Sequence, residues 1–359
     1  LDLSKIEANR LLLESVPYSP REVAGEAVWL HAMRAHQKGL ELVLDVAPEV
    51  PWRMLGDPMR LKQVLVNLLG NAIKFTSAGH VCVNISVVNE DGRRLKFAVV
   101  DSGIGIPPER QADIFKAFVQ ADDSITRRYG GTGLGLSISS RLVTLMDGRI
   151  DLKSSVGVGS TFSFSIPLRE AERVPAPLCP PIRHARALVL EPNELARSQL
   201  RRLLSGLGAA VVAVPDFAAA RAQLEQADKE QAPFAWAVVD HRGVDNAPVR
   251  LVNGLKRPPR LIVMRPMDSV AIPPDAQSFG VLRKPVLEEA LIEEVERLVG
   301  GKPLRDDSPE DDAPVPEIAG MEVLVAEDHP VNQLLIRRLL ERVECKVSLA
   351  NDGREALEL

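Results

Sequence analysis

A proline-rich stretch, Val174-Pro-Ala-Pro-Leu-Cys-Pro-Pro-Ile182, divides this chain into two halves with different hydrophobic spacing. Such a stretch is semi-rigid and builds no core of its own. Each half must therefore close its own core. Ahead of it, Leu61, Val64, Leu65, Leu68 and Ala72 share one face of a helix predicted over 60–75. Further helices are expected over 21–38 and 133–146, and 40–46 alternates as a strand. Residues 80–88 and 94–100 form a predicted hairpin, and 149–154 and 159–167 two closing strands. Helices mixed with adjacent antiparallel strands predict an α+β two-layer sandwich. Behind the stretch, short apolar runs at 187–190, 210–214, 236–239, 261–264 and 280–282 alternate with helical segments. Runs of that kind predict fully buried parallel strands in a doubly wound α/β fold. An acidic, proline-containing segment over 304–317 follows, and Met321 then restarts the same pattern with a strand at 322–326.

The length of 359 residues suggests two to three domains. A net charge of -5 implies no large basic surface, which argues against a nucleic-acid partner. Cys82, Cys179 and Cys345 lie far apart, make no metal or redox spacing, and fit a reducing compartment. No apolar run reaches the roughly 18 residues needed to span a bilayer. The chain opens on Leu1, no signal peptide is visible, and both ends read as cut from something longer.

Three motifs in fixed order carry the chemistry. In Asn67-Leu-Leu-Gly-Asn71-Ala-Ile-Lys74, the two asparagines are four apart and share a helix face, with Lys74 close by. Magnesium takes oxygen ligands and keeps waters and phosphates, so few protein ligands suffice. Lys74 suits a phosphate as a point charge. From this helix alone, a polar face without a ligand reads equally well. In Asp101-Ser-Gly103-Ile-Gly105, a carboxylate follows an apolar strand and can accept from the exocyclic amine of adenine. Alone, that motif also reads as a plain turn. Gly131-Thr132-Gly133-Leu134-Gly135 opens a helix, where backbone N–H groups bind phosphate. It is neither a P-loop nor a dinucleotide fingerprint. The preceding stretch, with Phe115 and Phe118, reads either as a lid over a nucleotide or as ordinary packing.

These motifs resemble the N, G1, F and G2 boxes of sensor histidine kinases, over about residues 1–170. Gly56-Asp-Pro-Met-Arg-Leu-Lys-Gln63 and Gly159-Ser-Thr-Phe-Ser-Phe164 extend the likeness. The resemblance implies a Bergerat-type ATP-binding fold with ATP and Mg²⁺ as ligands. It assigns Asn67 and Asn71 to Mg²⁺, Lys74 to phosphate and Asp101 to adenine. Gly131, Gly133 and Gly135 go to the phosphate-facing end of the lid, and Thr161 to supporting Asp101. None of the six histidines lies in a motif matching the family's phosphoacceptor. The resemblance therefore implies that the acceptor histidine lies outside this chain.

Residues 320–359 resemble the start of a response-regulator receiver, with Glu327 and Asp328 as its Mg²⁺-binding acidic pair. Residues 184–300 resemble a receiver less closely. Asp240 stands at the acceptor place and Lys284-Pro285 at the phosphate-contacting lysine, but the acidic pair reads Glu191-Pro192, and proline ligates no metal. This is read as a degenerate receiver. The implied division is the end of a dimerisation and phosphoacceptor helix over 1–16, an ATP-binding catalytic domain over 17–170 and a linker over 171–183. The degenerate receiver over 184–300 follows, then a linker over 301–319 and a truncated receiver over 320–359.

The whole resembles part of a hybrid sensor histidine kinase in a multistep phosphorelay. That implies a response regulator or histidine phosphotransfer protein as partner and a homodimer in the longer protein. It also implies a cytoplasmic position for this portion, and it allows inner-membrane attachment of the rest. An alternative is an ATP-binding regulatory protein without net kinase activity. A third reading, an ATPase clamp of the chaperone or topoisomerase kind, fits the N and G2 boxes and the receiver-like tail less well.

Overall fold

The computed structural model describes residues 12–89, 92–115, 134–169, 171, 179–244, 248–267, 279–300, 320–327, 333, 336–337, 340 and 345–358. Residues up to Leu304 form one compact unit and the remainder a second.

The first unit begins with β1 (Val16–Tyr18), which pairs antiparallel with β3 (Met54–Gly56). Both strands are only three residues long, and sequence periodicity did not reveal them. The N-terminal helix expected over 1–16 falls mostly outside the described residues, and Val16 already belongs to β1. Helices α1 (Pro20–Gln37) and α2 (Pro58–Phe75) start in the same way. Ser19 and Asp57 are N-caps whose side chains accept from the backbone N–H groups of Glu22 and Arg60, and proline occupies the first helical turn of each. Proline is pre-organised there because its missing N–H has no intrahelical partner to lose. Tyr18-Ser19-Pro20 thus stops one segment and starts the next.

A five-stranded sheet lies across these helices in the order β2-β4-β5-β7-β6. Its strands are β2 (Glu41–Val46), β4 (His80–Asn89), β5 (Arg93–Asp101), β6 (Arg149–Ser155) and β7 (Gly159–Pro167). Only the β2–β4 pair is parallel. One sheet face carries Val83, Ile85, Leu95, Phe97, Phe162 and Phe164 against α1, α2 and α4 (Gly135–Leu145), giving the predicted two-layer sandwich. Phe97 and Phe164 are cross-strand partners with stacked rings, centroids 5.1 Å apart. The short α3 (Pro108–Gln111) follows the glycine turn.

Beyond Cys179 the unit continues as a second five-stranded sheet, all parallel, in the order β12-β11-β10-β8-β9. It contains β8 (Arg186–Leu190), β9 (Ala210–Val214), β10 (Trp236–Asp240), β11 (Arg260–Arg265) and β12 (Gly280–Arg283). Helices α5 (Glu194–Gly206) and α8 (Glu288–Gly300) cover one face, and α6 (Phe217–Lys229) and α7 (Val249–Val252) the other. This is the doubly wound layer the apolar runs predict, with a strand order that places a switch point between β8 and β10. In the second unit, β13 (Glu322–Ala326) pairs parallel with β14 (Lys346–Ala350), followed by α9 (Gly353–Glu358). Among the described residues no helix is long and apolar enough to cross a membrane.

Candidate nucleotide site and the receiver-like pocket

The C-terminal half of α2, the turn after β5 and the start of α4 come together at one end of the sandwich. Asn67 donates from its amide to Ser139 Oγ of α4 at 2.9 Å. A Cβ at Gly135 would lie 2.2 Å from Asn67 Oδ1, so any larger residue there would have to displace the Asn67 side chain. Asn71 sits one turn further along the same half-buried helix face. Lys74 follows near the helix end, where burial and then the neighbouring Arg34 push its ammonium below the usual value. Its Nζ lies 4.9 Å from the Phe75 ring centroid. Lys38 clamps the end of α2, donating to the carbonyls of Ile73, Lys74 and Thr76. It answers carbonyls that a helix end leaves without partners.

Asp101 ends β5 and is buried. Its Oδ1 accepts from the backbone N–H of Gly103 at 2.9 Å and of Ser160 at 3.2 Å. Burial pushes the carboxyl above its usual range, and those two N–H groups oppose the shift. One oxygen is thus anchored by two backbone N–H groups. The register pairs Asp101 with Ser160, so Thr161, paired with Val100, faces the opposite side of the sheet. The support expected from Thr161 comes instead from the Ser160 backbone.

The turn after Asp101 is braced on both sides. Ile104 donates to Phe75 O and Ile106 donates to Ser154 Oγ, while Gly157 donates to Ile104 O. Gly105 has φ +71°, and a Cβ there would lie 2.0 Å from Ser155 O. Gly105→Ala is therefore expected to cost about 2 kcal/mol or more. Thermal unfolding of the variant, with and without nucleotide, checks this; an unchanged Tm would show the turn to be more yielding than its geometry.

Phe115 is half-buried and packs edge-on against Phe162 at the edge of the sandwich core, with centroids 6.3 Å apart. Phe118, Gly131, Thr132 and Gly133 lie outside the described residues, whereas Leu134 and Gly135 stand at the start of α4.

The residues singled out in the receiver-like layer meet as well. Asp240 ends β10 and Lys284 follows β12, and both are buried. The Lys284 ammonium donates to Asp240 Oδ2 at 2.8 Å and Glu191 Oε2 at 2.9 Å, and lies 2.6 Å from Glu41 Oε1. Arg242 lies over the other side of Asp240, with Nε 3.1 Å from Oδ1, and its Nη2 reaches Glu41 Oε2 at 3.0 Å. Burial pushes the Asp240 carboxyl up, but Lys284 and Arg242 outweigh it and hold the group well below the usual carboxylate range. Three carboxylates here face two cations. The excess falls on Glu191, whose carboxylate accepts from Lys284 and the Asn193 N–H and is pushed up to about 7 by burial. Among the described residues no group of three or more His, Cys, Asp or Glu is arranged to hold a metal ion. These three acids converge on an ammonium instead.

Glu41 and Arg242 were not singled out by sequence reasoning. The available signals were an acid beginning a mostly apolar strand and a base two residues past Asp240. In the second unit Glu327 follows β13, with its carbonyl accepting from Gln333; Asp328 lies outside the described residues.

Residues 56–170 match the family model for histidine kinase-, DNA gyrase B- and HSP90-like ATPases. The whole chain is 34% identical over 372 residues to signal transduction histidine-protein kinase BarA of Escherichia coli, covering 39% of that protein. It is 35% identical over 373 residues to sensor histidine kinase GacS of Pseudomonas protegens, covering 40% of it. The chain thus spans about two fifths of the length of these relatives. The crystal structure of full-length ShkA in complex with AMPPNP matches the whole chain and 72% of its own, at 30% identity and a TM-score of 0.64. With the sandwich, the parallel receiver-like layer and the three ordered motifs in one chain, this protein belongs to the hybrid sensor histidine kinases.

Proposed function

We propose that the sandwich binds Mg-ATP and donates the γ-phosphoryl group to a histidine outside these 359 residues, as one step of a multistep phosphorelay. The observation that carries this reading is Asp101. A buried carboxyl with one oxygen anchored by two N–H groups offers the other to a donor, such as the exocyclic amine of adenine. Asn67 and Asn71 supply amide oxygens on the α2 face beside it, suited to a hard cation. The cation, when bound, would neutralise charge on the phosphates. Lys74 with Arg34 adds positive charge at the end of α2. Glycines 131, 133 and 135 are proposed to let backbone N–H groups close on the phosphates.

In the transfer, an imidazole nitrogen attacks the γ-phosphorus and the bond to the bridging oxygen breaks. ADP leaves, and the imidazole proton passes to solvent. Catalysis of this kind is positioning and electrostatics, and a site without its acceptor positions nothing. The chain alone is therefore expected to bind ATP without labelling itself. Calorimetric titration with ATP and Mg²⁺, followed by incubation with radioactive ATP, checks both points. Failure to bind, or acid-labile and base-stable label on the chain itself, would overturn the proposal.

The domain division given by the sequence is kept as part of this proposal, with residues 17–170 as the catalytic domain. Glu327 and Asp328 are proposed as the Mg²⁺ pair of a second receiver that passes the phosphoryl group to a histidine phosphotransfer protein or response regulator. The longer protein is proposed to act as a homodimer.

A further inference from the structure

The receiver-like layer does not stand apart from the sandwich. Glu41 belongs to β2, the edge strand of the ATP-binding sheet, yet both of its carboxylate oxygens are used by cations of the receiver-like pocket. Lys284 spends its three N–H donors on three acids, and Glu41 is the only one of these from the sandwich. From this geometry we infer that the receiver-like pocket is a docking socket for the Glu41 carboxylate, and that it holds the layer against the outer face of the ATP-binding sheet instead of accepting a phosphoryl group at Asp240.

The inference goes beyond the ATP-site proposal and stands independently of it. An ammonium and a guanidinium beside an acid form a site for a compact anion. A phosphoryl group and a carboxylate both satisfy that description, and here a carboxylate fills it. The acceptor itself is closed: Asp240 is fully buried, and both of its oxygens are bound by Lys284 and Arg242. The guanidinium lies on the Asp240 oxygens and supplies the positive charge beside the carboxylate.

The surroundings support a seated interface. Arg202 of α5 makes a two-pronged contact with Asp45 of β2, at 3.1 and 2.6 Å. Arg21 of α1 meets Glu288 of α8 at 2.9 Å. His36 Nδ1 accepts from the backbone N–H of Met267 at 2.9 Å. Between these polar contacts lies an apolar patch where Val43 and Cys82 of the sheet's outer face are covered by Ala196 and Leu195 of α5. An interface with an apolar centre and charged edges is ordered by its charges and held by its apolar area.

Cys82 reports on this seating because it is buried by the receiver-like layer's own helix, and burial pushes its thiol up to about 12. A protein with Cys179→Ser and Cys345→Ser keeps Cys82 as its single thiol. Its rate of reaction with a disulfide reagent at mildly alkaline pH is expected to be very low. Glu41→Lys places a cation against Lys284 and Arg242, and is expected to raise that rate at least tenfold while ATP affinity stays within about twofold. Arg202→Glu, at a half-exposed edge position, gives a smaller increase by the same route and serves if Glu41→Lys does not fold. Circular dichroism and ATP binding establish that each variant is folded. Unchanged Cys82 reactivity in both folded variants would overturn the socket. So would label from acetyl phosphate on the parent protein that disappears in Asp240→Ala.

Discussion

Asp101→Asn is expected to weaken ATP binding about 10- to 100-fold, the usual worth of a hydrogen bond to a charged group. The amide keeps an oxygen for Gly103 and Ser160, so the turn should survive. What it changes is the outward atom, where an acceptor becomes a donor facing the amine of the base. The same substitution removes a buried charge. Burial raises the folded-state pKa of Asp101, so the folded protein binds a proton more readily than the unfolded chain. Ionised Asp101 therefore costs stability above its folded pKa, and that cost fades as pH falls toward the ordinary aspartate value. Without nucleotide, Asp101→Asn should unfold at the same temperature as the parent or higher. At one fixed ATP concentration well above the parent's Kd, the parent should gain more Tm than the variant. ATP affinity of the parent should also fall on acidification at a higher pH than an unperturbed aspartate would give. Thermal scans with and without ATP at several pH values measure all three. A variant that binds ATP like the parent would sink the adenine assignment.

Asn71→Ala is expected to lower Mg²⁺-dependent ATP affinity about 100-fold, since even groups one shell removed from a metal cost 10–100-fold when lost. The alanine is a good helix former on a half-buried face, so α2 should keep its structure. The informative comparison is binding with and without Mg²⁺. If the asparagine holds the cation, the parent loses affinity when the metal is chelated and the variant has little left to lose. A variant that binds fluorescent ATP as well as the parent, with the same metal dependence, would remove Asn71 from the metal.

Much of this arrangement is legible in the sequence. The apolar stripe on α2 is a local signal, and local chemistry settles it. The parallel layer was legible because buried strands write themselves as continuous apolar runs. Two kinds of feature escaped. Strands β1 and β3 are three residues long, and Pro17 within β1 reads as a helix stop. The resemblance points to Thr161, whereas the strand register sets Ser160 opposite Asp101; register is a tertiary property, and one residue along a strand is the other face of the sheet. The Glu41 socket was out of reach for a similar reason. Its arginine lies 201 residues away along the chain, and only the packing of one sheet against another layer brings them together.

The measurement that bears most directly on the central claim is transfer to a supplied histidine. A longer form of the protein, carrying the proposed acceptor and weakened in its own ATP site by Asp101→Asn, is mixed with this chain and radioactive ATP at a concentration too low to fill the weakened site. Acid-labile, base-stable label should appear on the longer protein only when this chain is present, and should vanish when this chain carries Asn71→Ala. If this chain binds Mg-ATP and the intact acceptor is never labelled, the sandwich is a nucleotide-binding module and not the phosphoryl donor proposed for it.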